Sequence, residues 1–220
     1  MHLLRIPFFL FILALTVLPP GSASPGNSHR FAAVPALAVA LNGERQIGFV
    51  HYIVVQLDDD AEAQGPVVRF NEFAAGSAVG DEWKEGVRTA VMAASRLLGE
   101  DPRRWIITVR NRSNSILTEG ASASAAIAVA LLAAWRGEAL ANDVVMTGRI
   151  TPDGRITDVD ALPAKLEGAA QARIRVVLVP RGQAHTGEWD LVEQGRQRNV
   201  RVIEVDNLRE AYDLMLARRP

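Results

Sequence analysis

The chain has 220 residues, a formal net charge of −1 and no cysteine. Acids and arginines are interspersed, so there is no basic block of the kind that docks nucleic acid. The missing thiols exclude a disulfide scaffold and a thiolate-bound metal.

A short basic start, Met1 to Arg5, precedes an apolar run from Ile6 to Leu18 and then the helix-breaking or small residues Pro19 to Ser24. This order is that of a secretory signal peptide. The apolar run is shorter than the ~20 residues of a comfortable membrane span. Residues 1–24 are therefore expected as a signal segment, cleaved or kept as a membrane anchor, on an exported (periplasmic or secreted) protein. Residues 25–35, rich in Pro, Gly, Ser and Ala, read as a flexible leader, and residues 36–220 as one domain.

Within that domain, β-branched and apolar residues dominate Leu37 to Ala40 and Ile47 to Leu57, with the hairpin turn signal Asn42-Gly43 between them. Val67 to Phe70 reads as a short strand. Val87, Val91, Ala94 and Leu98 recur at helical spacing, so a helix is expected over about 82–98, capped by Asp81. Trp105 to Val109 is a strand, and 111–120 a polar loop. Ser122 to Trp135 is apolar all round, which predicts a buried helix ended by Gly137. Short strands follow at Val144–Met146, Arg149–Ile150 and Arg155–Val159. Asp160 is placed to cap a helix that carries Lys165 and tolerates Pro163 in its first turn. A strand over Val176–Val179, a helix near 188–197, a strand at Val200–Val205 and a helix at 207–217 complete the chain. The order predicts a mixed α+β (α/β) domain.

Lys84 and Lys165 are the only lysines, against twenty-two arginines. An amine can lose its proton when desolvated, whereas a guanidinium cannot near neutral pH. Lys165, between Ala164 and Leu166, is thus a candidate general base. Ser122, among Gly120, Ala121 and Ala123, is a candidate nucleophile at a helix start, where backbone N–H groups of residues 120–123 could hold an oxyanion. Thr147 could orient the amine, and Glu119 could touch the lysine or an incoming peptide. Structural readings compete with each: a plain N-cap for Ser122, a strand end for Thr147, a solvated loop acid for Glu119, a surface cation for Lys165. His29, His51 and His185 lie near no nucleophile motif, and no Gly-x-Ser-x-Gly, Ser-x-x-Lys or P-loop sequence occurs.

Three segments together resemble the proteolytic domain of the Lon proteases, a serine–lysine family. Glu119-Gly-Ala-Ser-Ala-Ser124 stands where that family has Asp-Gly-Pro-Ser-Ala-Gly. Asp143-Val-Val-Met-Thr-Gly-Arg-Ile-Thr151 stands where it has Asp-Val-Ala-Met-Thr-Gly-Glu-Ile-Thr. Asp160-Ala-Leu-Pro-Ala-Lys-Leu-Glu-Gly-Ala-Ala170 matches its lysine helix, with Asp160-Ala161 in place of two glycines. The spacing between the segments is kept. The resemblance implies the ribosomal protein S5 domain 2-like fold, Ser122 as nucleophile, Lys165 as base and Thr147 as support. It also implies a hydrolase that needs no cofactor or metal and takes a peptide or unfolded-protein substrate, with a homo-oligomer as a further family trait. No ATPase module is recognisable, so ATP-independent cleavage of unstructured segments is expected. The alternative is a non-catalytic scaffold domain of the cell envelope that keeps the fold, and a third reading is self-processing near the leader.

Overall fold

A computed structural model describes residues 29–72, 77–113 and 117–217. The expected signal segment lies outside the described residues. Seven strands form one mixed sheet in the order β3-β4-β2-β1-β5-β8-β9. These are β1 (Arg30–Asn42), β2 (Arg45–Asp59), β3 (Val67–Phe70), β4 (Trp105–Arg112), β5 (Val144–Met146), β8 (Val176–Pro180) and β9 (Arg201–Val205). The β1–β2 and β2–β4 pairs are antiparallel, and the β1–β5, β5–β8 and β8–β9 pairs parallel. A separate two-stranded ribbon joins β6 (Arg149–Ile150) to β7 (Ile156–Thr157).

Five α-helices cover the sheet: α1 (Asp81–Leu98), α2 (Ser124–Arg136), α3 (Leu162–Gln171), α4 (Leu191–Gln197) and α5 (Leu208–Met215). One core lies under α1, α2 and α5 and contains Ile53, Val55, Ile107, Val87, Ile127 and Tyr212. A second lies on the opposite face under α3 and α4 and contains Leu37, Val145, Leu162, Leu166, Val177 and Leu191. The result is helix, sheet, helix. As its composition predicts, α2 is buried along its whole length from Ser124 to Ala134. It ends at Gly137, whose φ of 66° is the left-handed cap conformation that glycine adopts without strain.

Three local expectations change. Strand β1 begins at Arg30, inside the stretch expected as leader, and pairs with β2 from Arg30↔Leu57 onward. Small residues there read as linker; the long partner strand β2 makes them sheet. The hairpin turn is Gly43-Glu44, one residue on from the expected dipeptide, with Asn42↔Arg45 as the closing pair. Neither aspartate caps its helix. Gly80 and Ala161 occupy the N-cap positions of α1 and α3, without a side-chain cap bond of their own.

Helix α3 lies directly on the hairpin. A Cβ added to Gly48 would stand 1.8 Å from the Ala164 carbonyl oxygen, and one on Gly168 would stand 2.3 Å from the Gly48 carbonyl carbon. Two facing glycines thus let the α3 backbone touch the β2 backbone. That contact sets the height of the first turn of α3, where Lys165 sits.

Candidate active site

The Ser122 turn is built by its neighbours. Gly120, with φ 85° and ψ 145°, bends the chain into a 3-10 turn over Ala121–Ala123, which runs straight into α2. Side chains with a Cβ rarely adopt that conformation. The Ser122 carbonyl accepts from Gly148 N–H at 2.8 Å and from Thr147 Oγ1 at 3.2 Å. Ala125 N–H donates to the Gly148 carbonyl at 3.1 Å, and Ile150 N–H to Ser124 Oγ at 2.9 Å. The turn is therefore stitched to residues 147–150, and Ser122 is left half-buried.

Lys165 comes from the other layer. It is 4% exposed, in the company of Leu162 and Leu166. Its Nζ donates to Thr147 Oγ1 at 3.2 Å, and Thr147 is itself fully buried. Burial is the main reason the amine pKa falls from 10.5 to about 8; Asp160 opposes the fall and Arg149 adds to it. Asp160 is thus a counter-charge to the amine rather than a helix cap. The other lysine, Lys84, pairs with Glu72 at 3.2 Å and keeps partial solvent exposure.

The meeting point follows from topology. β1 and β5 share a single register position, Ala36↔Met146, and β5 ends there. Thr147 follows, fully buried, with Ser122 arriving from the α1/α2 layer and Lys165 from the α3 layer. Ser122, Lys165, Arg149 and Asp160 line one cavity of about 390 Å³ together with Leu37, Phe49 and Leu117.

Glu119 lines the same cavity and also takes a part the sequence did not suggest. Its Oε1 accepts from the N–H groups of Glu82 at 2.9 Å and Trp83 at 3.4 Å, so it caps α1 from a distant loop. It also accepts from Gly120 N–H at 3.1 Å, which removes that N–H from the expected oxyanion set. Gly80 leaves the space: a Cβ there would fall 1.3 Å from Glu119 Oε2. Ala121, Ser122 and Ala123 remain in the first turn.

His51 also reaches the cavity wall, although it stands apart from any motif. It is 3% exposed, and burial pushes its pKa down to about 4 against the raising effect of Asn111. Its Nδ1 meets Asn111 Oδ1 at 2.8 Å, and Asn111 Nδ2 donates to Thr118 Oγ1 at 2.8 Å. The chain of bonds ties β2 through β4 to the segment entering the serine turn. The legible signal was period two: Phe49, His51, Ile53, Val55 and Leu57 alternate along β2, so His51 shares the inward face.

The chain is 28% identical over 148 residues to Lon protease 2 of Herpetosiphon aurantiacus, covering 64% of this chain and 18% of that protein. It is 31% identical over 148 residues to the Lon protease of Aquifex aeolicus, with the same two coverages of 64% and 18%. Against the archaeal Lon protease of Pyrococcus abyssi it is 27% identical over 139 residues, 63% of this chain and 14% of the relative. The chain thus spans less than a fifth of the length of these relatives. Residues 75–218 match the Lon protease (S16) C-terminal proteolytic domain, which takes in the serine turn, Thr147 and the lysine helix, and the chain belongs to that family.

Proposed function

We propose that the chain is a serine peptidase in which Ser122 is the nucleophile and Lys165 the general base. The supporting observation is the buried Lys165 amine, its pKa brought to about 8, hydrogen-bonded to the same Thr147 hydroxyl that holds the Ser122 carbonyl. At that pKa roughly a tenth of the amines are neutral at pH 7 and half at pH 8. A neutral amine accepts the Ser122 proton as Oγ bonds to the peptide carbonyl carbon. The N–H groups of Ala121, Ser122 and Ala123 are the candidates to hold the resulting oxyanion. The Lys165 ammonium then returns the proton to the leaving amine. Water, deprotonated by the same amine, releases the acyl group and restores Ser122.

The substrate is an unstructured peptide segment, cut without ATP hydrolysis by this chain, whose sequence contains no Gly-Lys-Ser/Thr. Export rests on the basic start, apolar run and small residues of 1–24. The test is cleavage of an unfolded protein by the parent, Ser122→Ala and Lys165→Met. The expected result is loss of cleavage in both variants with folding kept. Undiminished cleavage by Ser122→Ala would overturn the assignment.

A further inference from the structure

Two ring nitrogens in the cavity wall lack a hydrogen-bond partner. Among the described residues, the buried side-chain atoms without a partner include His51 Nε2 and Trp83 Nε1. Both residues line the cavity that holds Ser122 and Lys165. His51 is 3% and Trp83 2% exposed. Native proteins pair nearly all such buried groups, because an unmet donor or acceptor costs stability. A ligand in the cavity is what can meet these two.

Their polarities are opposite. Asn111 Nδ2 donates to Thr118 Oγ1 at 2.8 Å, so Asn111 Oδ1 is the acceptor facing His51 Nδ1, also at 2.8 Å. The proton of the neutral imidazole therefore sits on Nδ1, and Nε2 keeps a lone pair that accepts. An indole N–H only donates. Both rings are held in place. His51 has its Asn111 bond and an edge contact with Phe49 at 6.0 Å between centroids. Trp83 has an edge contact with Phe70 at 6.2 Å. Trp83 also lies beside the serine turn: its backbone N–H donates to Oε1 of Glu119, which comes three residues before Ser122, at 3.4 Å.

We propose that His51 and Trp83 form a side-chain subsite that takes the carboxamide of a substrate Gln or Asn next to the cut bond. The amide NH2 donates to His51 Nε2, and the amide oxygen accepts from Trp83 Nε1–H. A carboxylate has no proton for His51, an ammonium has no lone pair for Trp83, and an aliphatic side chain meets neither. A hydroxyl would have to serve both from one atom, whereas the two nitrogens come from different elements, β2 and α1. The assignment rests on Ser122 as the cleaving residue, and adds which side chain the cavity selects there.

The test maps by mass spectrometry the cuts that the parent makes in unfolded β-casein. Gln or Asn should occupy one fixed position beside the cut. In short peptides identical but for that position, kcat/KM for Gln should exceed that for Met, Glu or Thr at least about tenfold, because a site built to bond a polar group rejects analogues that leave it unpaired. Trp83→Phe and His51→Leu should each bring the Gln-to-Met ratio to within about threefold of one. A ratio measured on one preparation does not depend on how much of it is folded, so partial loss of folding leaves this readout intact. Equal rates for Gln and Met in the parent overturn the proposal. So does a preference for apolar, charged or hydroxyl residues, or a ratio that neither variant alters. Binding is read separately in Ser122→Ala, which does not consume the peptide. The Trp83 indole N–H signal in the NMR spectrum, assigned as the one missing in Trp83→Phe, should move with the Gln peptide and not with the Met peptide. No movement with either peptide overturns the subsite. Movement with the Gln peptide alone, without cleavage by the parent, keeps the subsite and removes the peptidase. Cleavage by the parent without preference does the reverse.

Discussion

Thr147 Oγ1 accepts from Lys165 Nζ at 3.2 Å and donates to the Ser122 carbonyl at 3.2 Å. One hydroxyl therefore fixes the amine relative to the backbone of the serine turn. Thr147→Val keeps the shape and removes both bonds, while Gly148 N–H still holds the Ser122 carbonyl at 2.8 Å. The expected result is a fall in kcat of about 10² with little change in KM, since a misplaced catalytic group costs that much. Steady-state kinetics on an unfolded peptide check it.

The Lys165 pKa of about 8 sets the pH dependence. Activity should rise with pH and level off above about 8, as the amine becomes neutral. Asp160 raises this pKa and Arg149 lowers it. Asp160→Asn should therefore move the rising limb of kcat/KM to lower pH, and Arg149→Gln to higher pH. Opposite displacements in the two profiles are the diagnostic result. Arg149 stands where the resembled motif carries a glutamate, so this chain sets the amine with a cation nearby.

The same burial costs stability. The folded amine has a pKa below its unfolded value of 10.5, so the cost is present in full below pH 8 and is relieved as pH rises from about 8 to 10.5. Lys165→Met removes the charge at similar volume. It should abolish activity yet stabilise the fold near neutral pH by roughly 1–3 kcal/mol, read from urea unfolding.

His51 acts at the acid end. Its pKa falls from 6.5 unfolded to about 4 folded, so the unfolded chain binds a proton in that window and the native state does not. Stability from this group is complete above pH 6.5 and is lost as pH falls from there to about 4, by roughly 3 kcal/mol. In His51→Gln the slope of stability against pH should flatten across that window. An unchanged slope would show that other groups dominate acid unfolding.

Glu119 joins two elements that are far apart in sequence. Glu119→Ala leaves the Glu82 and Gly120 N–H groups without their acceptor. Loss of a cap costs about 1 kcal/mol, so the thermal midpoint should fall by a few degrees. Gln keeps an acceptor oxygen and should recover most of the loss. Activity should fall with Ala as well, because the bend at Gly120 precedes Ser122 directly.

Much of the architecture was readable along the chain. The alternation in β2, the all-apolar α2 and the glycine at its end each state locally which face is buried or where a helix stops. The resemblance of the three motif segments also pointed to Ser122, Thr147 and Lys165; the fold brings Ser122 and Lys165 to one cavity, with buried Thr147 bonded to the Lys165 amine and the Ser122 carbonyl. What stayed hidden were the partners of charges and the fate of small residues. Asp160 read as a helix cap and Glu119 as a group that could touch the lysine or a peptide, yet the charge of one acts on Lys165 and the other caps α1 across thirty-seven positions of sequence. Ala32 to Pro35 looked like linker until β2 supplied a strand to pair with. Periodicity is a property of neighbouring residues, so it survives in the sequence. A hydrogen-bond partner, a desolvated amine or an unpartnered ring nitrogen exists only after distant segments have met, and tertiary structure alone decides those.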